Sequence, residues 1–226
     1  MDTAITVFSH SMTIDEVDRK QILRYAGMGM GMEATDDSVG ALIDKCYPVM
    51  MKAMKFKACY LEAPVTIEDD YVSFDYLGVK SKNLSTLLKG CTKAVLVAAT
   101  AGIEADMLVK RAEITSKAEA LILNSIAVAG IEKYMACFNE YIKSQYSEYS
   151  LRPRFSPGYG DVPLSMQIEL LNVLDTKRKI GVALSDSLLM TPSKSVSAII
   201  GLGESGCVHI DKDCDICSKR DCEYRL

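Results

Sequence analysis

The chain has 226 residues, 49% of them hydrophobic and 25% charged, a balance that excludes disordered and fibrous proteins and allows one large or two small domains with a real core. Its net charge of −4, from 26 basic and 30 acidic residues, excludes a general nucleic-acid surface on electrostatic grounds. The longest apolar run, Ala94 to Ile103, is half the roughly 20 residues of a spanning helix. No basic residue precedes Arg19, and the apolar run Ala4 to Phe8 is too short for a signal peptide, so a cytoplasmic protein with no membrane contact is expected.

Thr13 followed by Glu16 is a capping-box pattern, and Val17, Ile22, Leu23 and Tyr25 keep a mostly helical spacing that stops at Gly27. A first helix is predicted over Ile14 to Ala26. Gly27-Met28-Gly29-Met30-Gly31-Met32 alternates the two most adaptable residue types and reads as a loop, or as a Met-rich contact surface. Asp36 or Asp37 caps a second helix to about Met54, with Val39, Leu42, Ile43, Cys46 and Met50 as its apolar stripe. The period then changes to two in Cys59-Tyr60-Leu61, Val65-Thr66-Ile67 and the run Tyr71 to Tyr76, with Glu68-Asp69-Asp70 as the turn. A short helix around Leu84, Leu87 and Leu88 ends at Gly90, and Ala94 to Ala99 reads as a buried central strand.

Helices over Ile103 to Arg111 and Ser116 to Lys143 supply cover for that sheet; the second is rich in small residues such as Ala118, Ser125 and Ala129, which suit close packing. From Arg152 to Pro163 three prolines and two glycines make a stiff loop that neither helix nor strand is expected to hold, and Pro163 opens a helix through Leu174. Lys177-Arg178-Lys179 reads as a solvated helix end. Strands near Ile180 to Leu184 and Ser195 to Leu202 follow, separated by Met190-Thr191-Pro192. Residues 1–203 thus read as one α+β domain, helices around a twisted, mainly antiparallel sheet, mainly helical over 1–55; 204–226 form a cysteine-rich tail.

The constrained loop has a chemical use. Arg154 can hold a carboxylate through two parallel hydrogen bonds, the Ser156 hydroxyl and N–H groups around Gly158 can meet further lone pairs, and the Tyr159 face attracts a cation. A zwitterionic amino acid with a second positive centre uses all of these; a rigid surface turn with an arginine salt bridge accounts for the same residues. Four of the eight cysteines, Cys46, Cys59, Cys91 and Cys137, stand alone as small hydrophobes. Cys207, Cys214, Cys217 and Cys222 supply the four thiolates that a tetrahedral zinc or an iron–sulfur cluster requires, though free thiols are the plainer reading. His209 is a possible substitute ligand.

Arg154-Phe155-Ser156-Pro157-Gly158-Tyr159, then Pro163, Gln167, Leu171 and Leu174, then Ile180 to Leu184, Met190, Pro192 and Ser195-Val196-Ser197, resemble the S-adenosylmethionine-binding activation domain of vitamin B12-dependent methionine synthase. A weaker likeness runs upstream through Leu96 to Gly102 and Asp106 to the helix around Asn124, while the first ninety residues match poorly and the tail after Gly203 lies outside it. The resemblance implies S-adenosylmethionine held against the sheet by the Arg-x-x-x-Gly-Tyr loop. Arg154 would receive the methionyl carboxylate, the backbone near Ser156 and Gly158 other polar groups, and an acidic residue would stand on the preceding helix near Val128, with Glu132 one turn on.

The implied function is repair: an electron from a redox donor such as flavodoxin or ferredoxin and a methyl from S-adenosylmethionine return cob(II)alamin to methylcobalamin, with the cobalamin on a partner chain, methionine synthase or another corrinoid methyltransferase. No acid or base of the domain's own is implied. Two other readings stay open: an assembly or redox-metal-carrying module that has lost S-adenosylmethionine binding, and a small-molecule methyltransferase. The last lacks a glycine-rich strand-to-helix loop, since Gly201-Leu202-Gly203 is too isolated to make one.

Overall fold

A computed structural model describes residues 4–10, 17–28, 37–75 and 77–204. Strand β1 (Thr6–Phe8) precedes helix α1 (Arg19–Tyr25). This helix begins after Asp18, whose carboxylate accepts from the Lys20 N–H at 2.8 Å, so Val17, which the periodicity places in it, lies before it; the Thr13–Glu16 capping pattern lies outside the described residues. Helix α2 (Asp37–Ala53) buries Ile43, Cys46 and Met50 from the expected stripe.

The two period-two runs after it are one strand, β2 (Lys57–Glu68), which turns at Asp69 into β3 (Tyr71–Phe74). A third strand, β4 (Leu77–Lys80), completes this meander. It is too short to stand out in the sequence, and Gly78 belongs in it for a packing reason. A Cβ there would lie 2.3 Å from the Tyr71 hydroxyl. Helix α3 (Lys82–Leu87) starts under the Ser81 side chain, and β5 (Cys91–Thr100) extends the expected apolar strand at both ends.

Helices α4 (Ile103–Thr115) and α5 (Lys117–Gln145) follow, the second capped by Ser116. By length and composition α5 is apolar enough to cross a membrane, which the length of uninterrupted apolar runs does not reveal; 61% of its most apolar window is buried inside the fold. Gly130 lets it approach closely, since a Cβ there would stand 2.9 Å from the Met54 sulfur. The chain continues through β6 (Ser150–Leu151), α6 (Met166–Val173), α7 (Thr176–Lys179), β7 (Ala183–Leu184), β8 (Met190–Thr191) and β9 (Ser195–Gly203). Pro163 does not open α6: Met166 N–H reaches the Pro163 carbonyl in a turn that precedes the helix. Met190-Thr191, expected between strands, is itself the second strand of a small β7–β8 ribbon. The basic run ends the short α7, exposed to solvent.

The fold is α+β. Seven strands form one antiparallel sheet in the order β4-β3-β2-β5-β9-β6, with β1 pairing the same edge of β2 further along. Strand β5 runs between β2 and β9, with Leu96 opposite Leu61 on one side and Ile199 on the other. Both faces are covered, which is why β5 is a continuous apolar run in an antiparallel sheet. Val95, Val97 and Ala99 face α1, α2, α4 and α5, where Tyr134, Phe138 and Ile142 are fully buried; Ala94, Leu96 and Ala98 face α3, α6 and the segment after β6. Aromatic packing fastens β1 to the first face: Phe8 meets Tyr141 at 4.7 Å and Phe138 at 5.4 Å, and its carbonyl accepts from the Tyr134 hydroxyl at 2.9 Å.

Candidate ligand site at the Arg154 loop

The segment from Arg152 begins as an extension of the sheet. Arg152 N–H donates to the Gly201 carbonyl at 2.8 Å, and Phe155 and Ile199 exchange both backbone hydrogen bonds at 2.9 and 2.8 Å. The expectation that no strand could hold it is therefore corrected for its first residues. Pro153 and Pro157 are tolerated because this is the sheet's outer edge, where a missing N–H breaks no ladder. Close approach to β9 depends on Gly201, where a Cβ would meet Leu88 Cδ2 at 2.5 Å and Arg152 Cγ at 2.9 Å.

After Phe155 the chain folds on itself. Tyr159 N–H donates to the Ser156 carbonyl at 3.1 Å, Gly158 N–H to the Val162 carbonyl at 3.0 Å, and Val162 N–H to the Tyr159 carbonyl at 3.0 Å. Gly158 and Gly160 have φ of 88° and 54°, in the left-handed region where glycine avoids the Cβ clash. Asp161 then locks the loop to α3: its carboxylate accepts from the Ser81 hydroxyl, from Lys82 N–H at 2.8 Å and from Asn83 N–H at 3.3 Å. Burial works against the Asp161 charge, but these hydrogen bonds outweigh it and hold the carboxyl below its ordinary range.

The Arg154 side chain reaches α5, where its Nη2 donates to Glu132 Oε2 at 3.0 Å; the two side chains are 23% and 42% exposed. Tyr25, the last residue of α1, lies within electrostatic reach of this pair. Burial first, and the Glu132 carboxylate second, push its phenol above the ordinary value, with Arg24 and Arg154 acting the other way. Among the described residues, Ser156 has no hydrogen-bond partner for its N–H or its hydroxyl, whereas the N–H groups of Gly158 and Tyr159 are engaged inside the loop. Tyr159 is 57% exposed and packs edge to face on Phe155 at 6.4 Å. The structure thus brings Arg154 and Glu132 together, with Ser156 in the same loop and the Tyr159 ring turned outward.

A sizeable concavity lies elsewhere. It measures about 470 Å³ and is lined by residues of α6, α7 and the β7–β8 ribbon, among them Ile168, Leu171, Asp175, Thr176, Val182 and Leu188. Part of its polar lining is already committed: Thr176 Oγ1 donates to the Val182 carbonyl at 2.9 Å, and Asp175 meets Arg178 at 3.3 Å.

Sequence reasoning did not find Asp161 as the loop's lock or Tyr25 within electrostatic reach of Glu132, and no local signal marks either. Asp161 lies 80 residues from Ser81, and Tyr25 falls in the part of the chain with the poorest resemblance. The cysteines Cys207, Cys214, Cys217 and Cys222, and His209, lie outside the described residues. Of the others, Cys46, Cys59 and Cys91 are buried and Cys137 is half-buried, none of them in a disulfide. Burial pushes the Cys59 thiol up to about 12, so it carries no thiolate at neutral pH.

Residues 130–206 match the family model described as vitamin B12 dependent methionine synthase, activation domain. No curated protein sequence matches the chain. Among solved structures, one titled "Crystal Structure of the MetH Reactivation Domain bound to AdoHcy" superposes with a TM-score of 0.72 at 14% identity, covering 92% of this chain and 81% of that one. The matched sequence runs from the middle of α5 through the Arg154 loop to the end of β9. In sequence over that stretch, and in fold over most of its length, the chain resembles the activation domain of vitamin B12-dependent methionine synthase.

Proposed function

We propose that the protein binds S-adenosylmethionine at the Arg154 loop and serves as a reactivation component for a cobalamin-dependent methyltransferase, methionine synthase or another corrinoid protein, whose cobalamin is held on a partner chain. The observation that carries this reading is the Arg154–Glu132 pair at the edge of β9, inside the stretch that matches the family model. The residues fit the amino-acid end of such a ligand. A guanidinium suits its carboxylate, a neighbouring carboxylate suits its ammonium, and the unpartnered N–H and hydroxyl of Ser156 suit further lone pairs.

In the proposed complex the ligand separates Arg154 from Glu132 and pairs with both, so one ion pair is exchanged for two without leaving a charge alone. When bound, the sulfonium supplies an electrophilic methyl group. The protein's part is to hold and orient it: the edge strand fixes Arg154 through Phe155 and Ile199, α5 fixes Glu132, and Asp161 anchors the loop. The remaining electron comes from a redox donor of the flavodoxin or ferredoxin kind. Cys207, Cys214, Cys217 and Cys222 are proposed to bind one metal centre, zinc or an iron–sulfur cluster, on the strength of their number and spacing. Metal analysis and visible absorption after anaerobic purification check this: four freely titrating thiols without metal would reject it.

One observation favours the second reading, an assembly module without the ligand. Arg154 is already paired with Glu132, and the Gly158 and Tyr159 N–H groups are spent within the loop. Calorimetry with S-adenosylmethionine separates the two, because the first requires heat of binding that Arg154→Ala removes. Mixing the protein with a cob(II)alamin-loaded methionine synthase truncated of its own activation domain, plus a reductant, then reads function. Return of the methylcobalamin spectrum on adding S-adenosylmethionine supports reactivation; complex formation with an unchanged spectrum supports assembly.

A further inference from the structure

We infer that the trench between α2 and α4 is an interface with a second copy of this chain, the two α4 helices packing antiparallel about a two-fold axis that passes beside Met107 and Leu108. Such a dimer does not depend on S-adenosylmethionine binding. Two hollows of about 240 and 260 Å³ run along the trench, one reaching Thr115 and the other Glu104, and they share Val49, Leu108 and Arg111 as lining residues. Large apolar side chains stand open to water on and beside it: Val49 is 50% exposed, Met107 46%, Ile103 44% and Ile114 88%. An apolar strip of this kind rimmed by charges marks a surface built to be covered.

The charges of α4 say what covers it. Glu104 and Arg111 are two helical turns apart, so they share one face about 10 Å from each other along the axis, with Met107 and Leu108 between them. Both are exposed, and neither forms an ion pair among the described residues. An antiparallel copy of the same helix, at the usual interaxial distance of about 8–10 Å, sets Glu104 of each chain beside Arg111 of the other and Met107 against Leu108. Ile103, Met107 and Ile114 lie on one flank of that seam, and the same two-fold brings Ile114 of each copy towards Ile103 of the other. A parallel copy would oppose like charges. Of the other charges lining the trench, Lys45 is paired with Glu119 at 2.6 Å, and Lys52 is exposed and can extend into water. The dimer leaves the Arg154 loop open, because Leu123, the trench residue of α5 closest in sequence to Glu132, is still about 14 Å from it along the helix.

The experiment is analytical ultracentrifugation of the full chain at about 1–100 µM, with a thiol reductant present so that cysteines cannot cross-link copies. The unaltered protein, Glu104→Arg, Arg111→Glu, the double variant carrying both changes, and an equal mixture of the two single variants are compared, with melting curves to establish that each is folded. The unaltered chain is expected to dimerise in the micromolar range. Either single change turns two attractions into two repulsions and should weaken the dimer about ten- to hundredfold. The double variant restores opposite charges at both contacts and should recover to within about threefold, and the mixed single variants should pair with each other though neither pairs with itself. A change that merely disturbed the fold would be rescued by neither. Should a charge variant fail to fold, Met107→Glu takes its place and is expected to leave the chain monomeric. A chain monomeric throughout this range, whatever else fills the trench, or a dimer indifferent to these changes, would overturn the inference. So would a double variant as weak as the single ones.

Discussion

The two faces of the sheet invite opposite conclusions. On the α3 and α6 side lies a concavity of about 470 Å³, in which Thr176 and Asp175 are already bonded within the protein. On the α5 side, Arg154 lies in an ion pair beside a strand edge that carries an N–H unpartnered among the described residues, at Ser156. The comparison teaches that convergent unlike charges, rather than volume, mark where a zwitterion can be recognised. A polar group already bonded within the protein offers a ligand little beyond what water supplies.

The largest expected effect tests the charged face directly. Arg154→Ala should cost about 2–4 kcal/mol of S-adenosylmethionine affinity, the loss of a charged, hydrogen-bonded pair, with the melting temperature little changed. Calorimetry measures it, and equal affinity in the variant would move the site elsewhere. Next comes the strand that carries Arg154. Gly201→Ala places a methyl 2.5 Å from Leu88 Cδ2 and 2.9 Å from Arg152 Cγ, and should destabilise the fold by about 1–3 kcal/mol in denaturant unfolding, as overpacked cores do.

Asp161→Ala removes the acceptor that ties the loop to α3. Its cost, about 0.5–2 kcal/mol by analogy with other helix N-terminal acceptors, should depend on pH. The Asp161 carboxyl is depressed in the folded protein, so its contribution is fully present above the unfolded value of about 3.9 and is lost as the pH falls through the folded one. Urea unfolding at pH 7 and near pH 3 should therefore show the gap between variant and unaltered protein closing on acidification. The smallest effect belongs to the hollow: Lys177→Ala with Asp186→Asn, two exposed lining residues, should change S-adenosylmethionine affinity by less than about 0.5 kcal/mol. A larger loss there would reverse the comparison of the two faces.

Periodicity carried much of the architecture. The stripe of α2, the small residues of α5 and the unbroken apolar run of β5 each state which side is buried, because burial is paid for one side chain at a time along a regular backbone. It failed at short elements: β4 and β8 have too few residues to show a period, and α1 begins only at Arg19, after Asp18 caps it. The stiffness of the Arg154 loop was also legible, since proline and glycine restrict or release φ wherever they occur. Its attachment was not, because the backbone of residues 152–155 bonds to β9 more than forty residues later in the chain.

By itself, then, the sequence determined an α+β domain with a central apolar strand, a rigid loop bearing Arg154, and a likeness to an activation domain centred on that loop. Only the tertiary structure decided what Arg154 touches. Glu132 is supplied by α5, and Asp161 finds its donors on α3, through contacts between residues far apart in sequence. Local patterns record the free energy of each element against its own neighbours. The charges that meet across elements are set by how the helices pack on the sheet, and no single stretch of the chain contains that information.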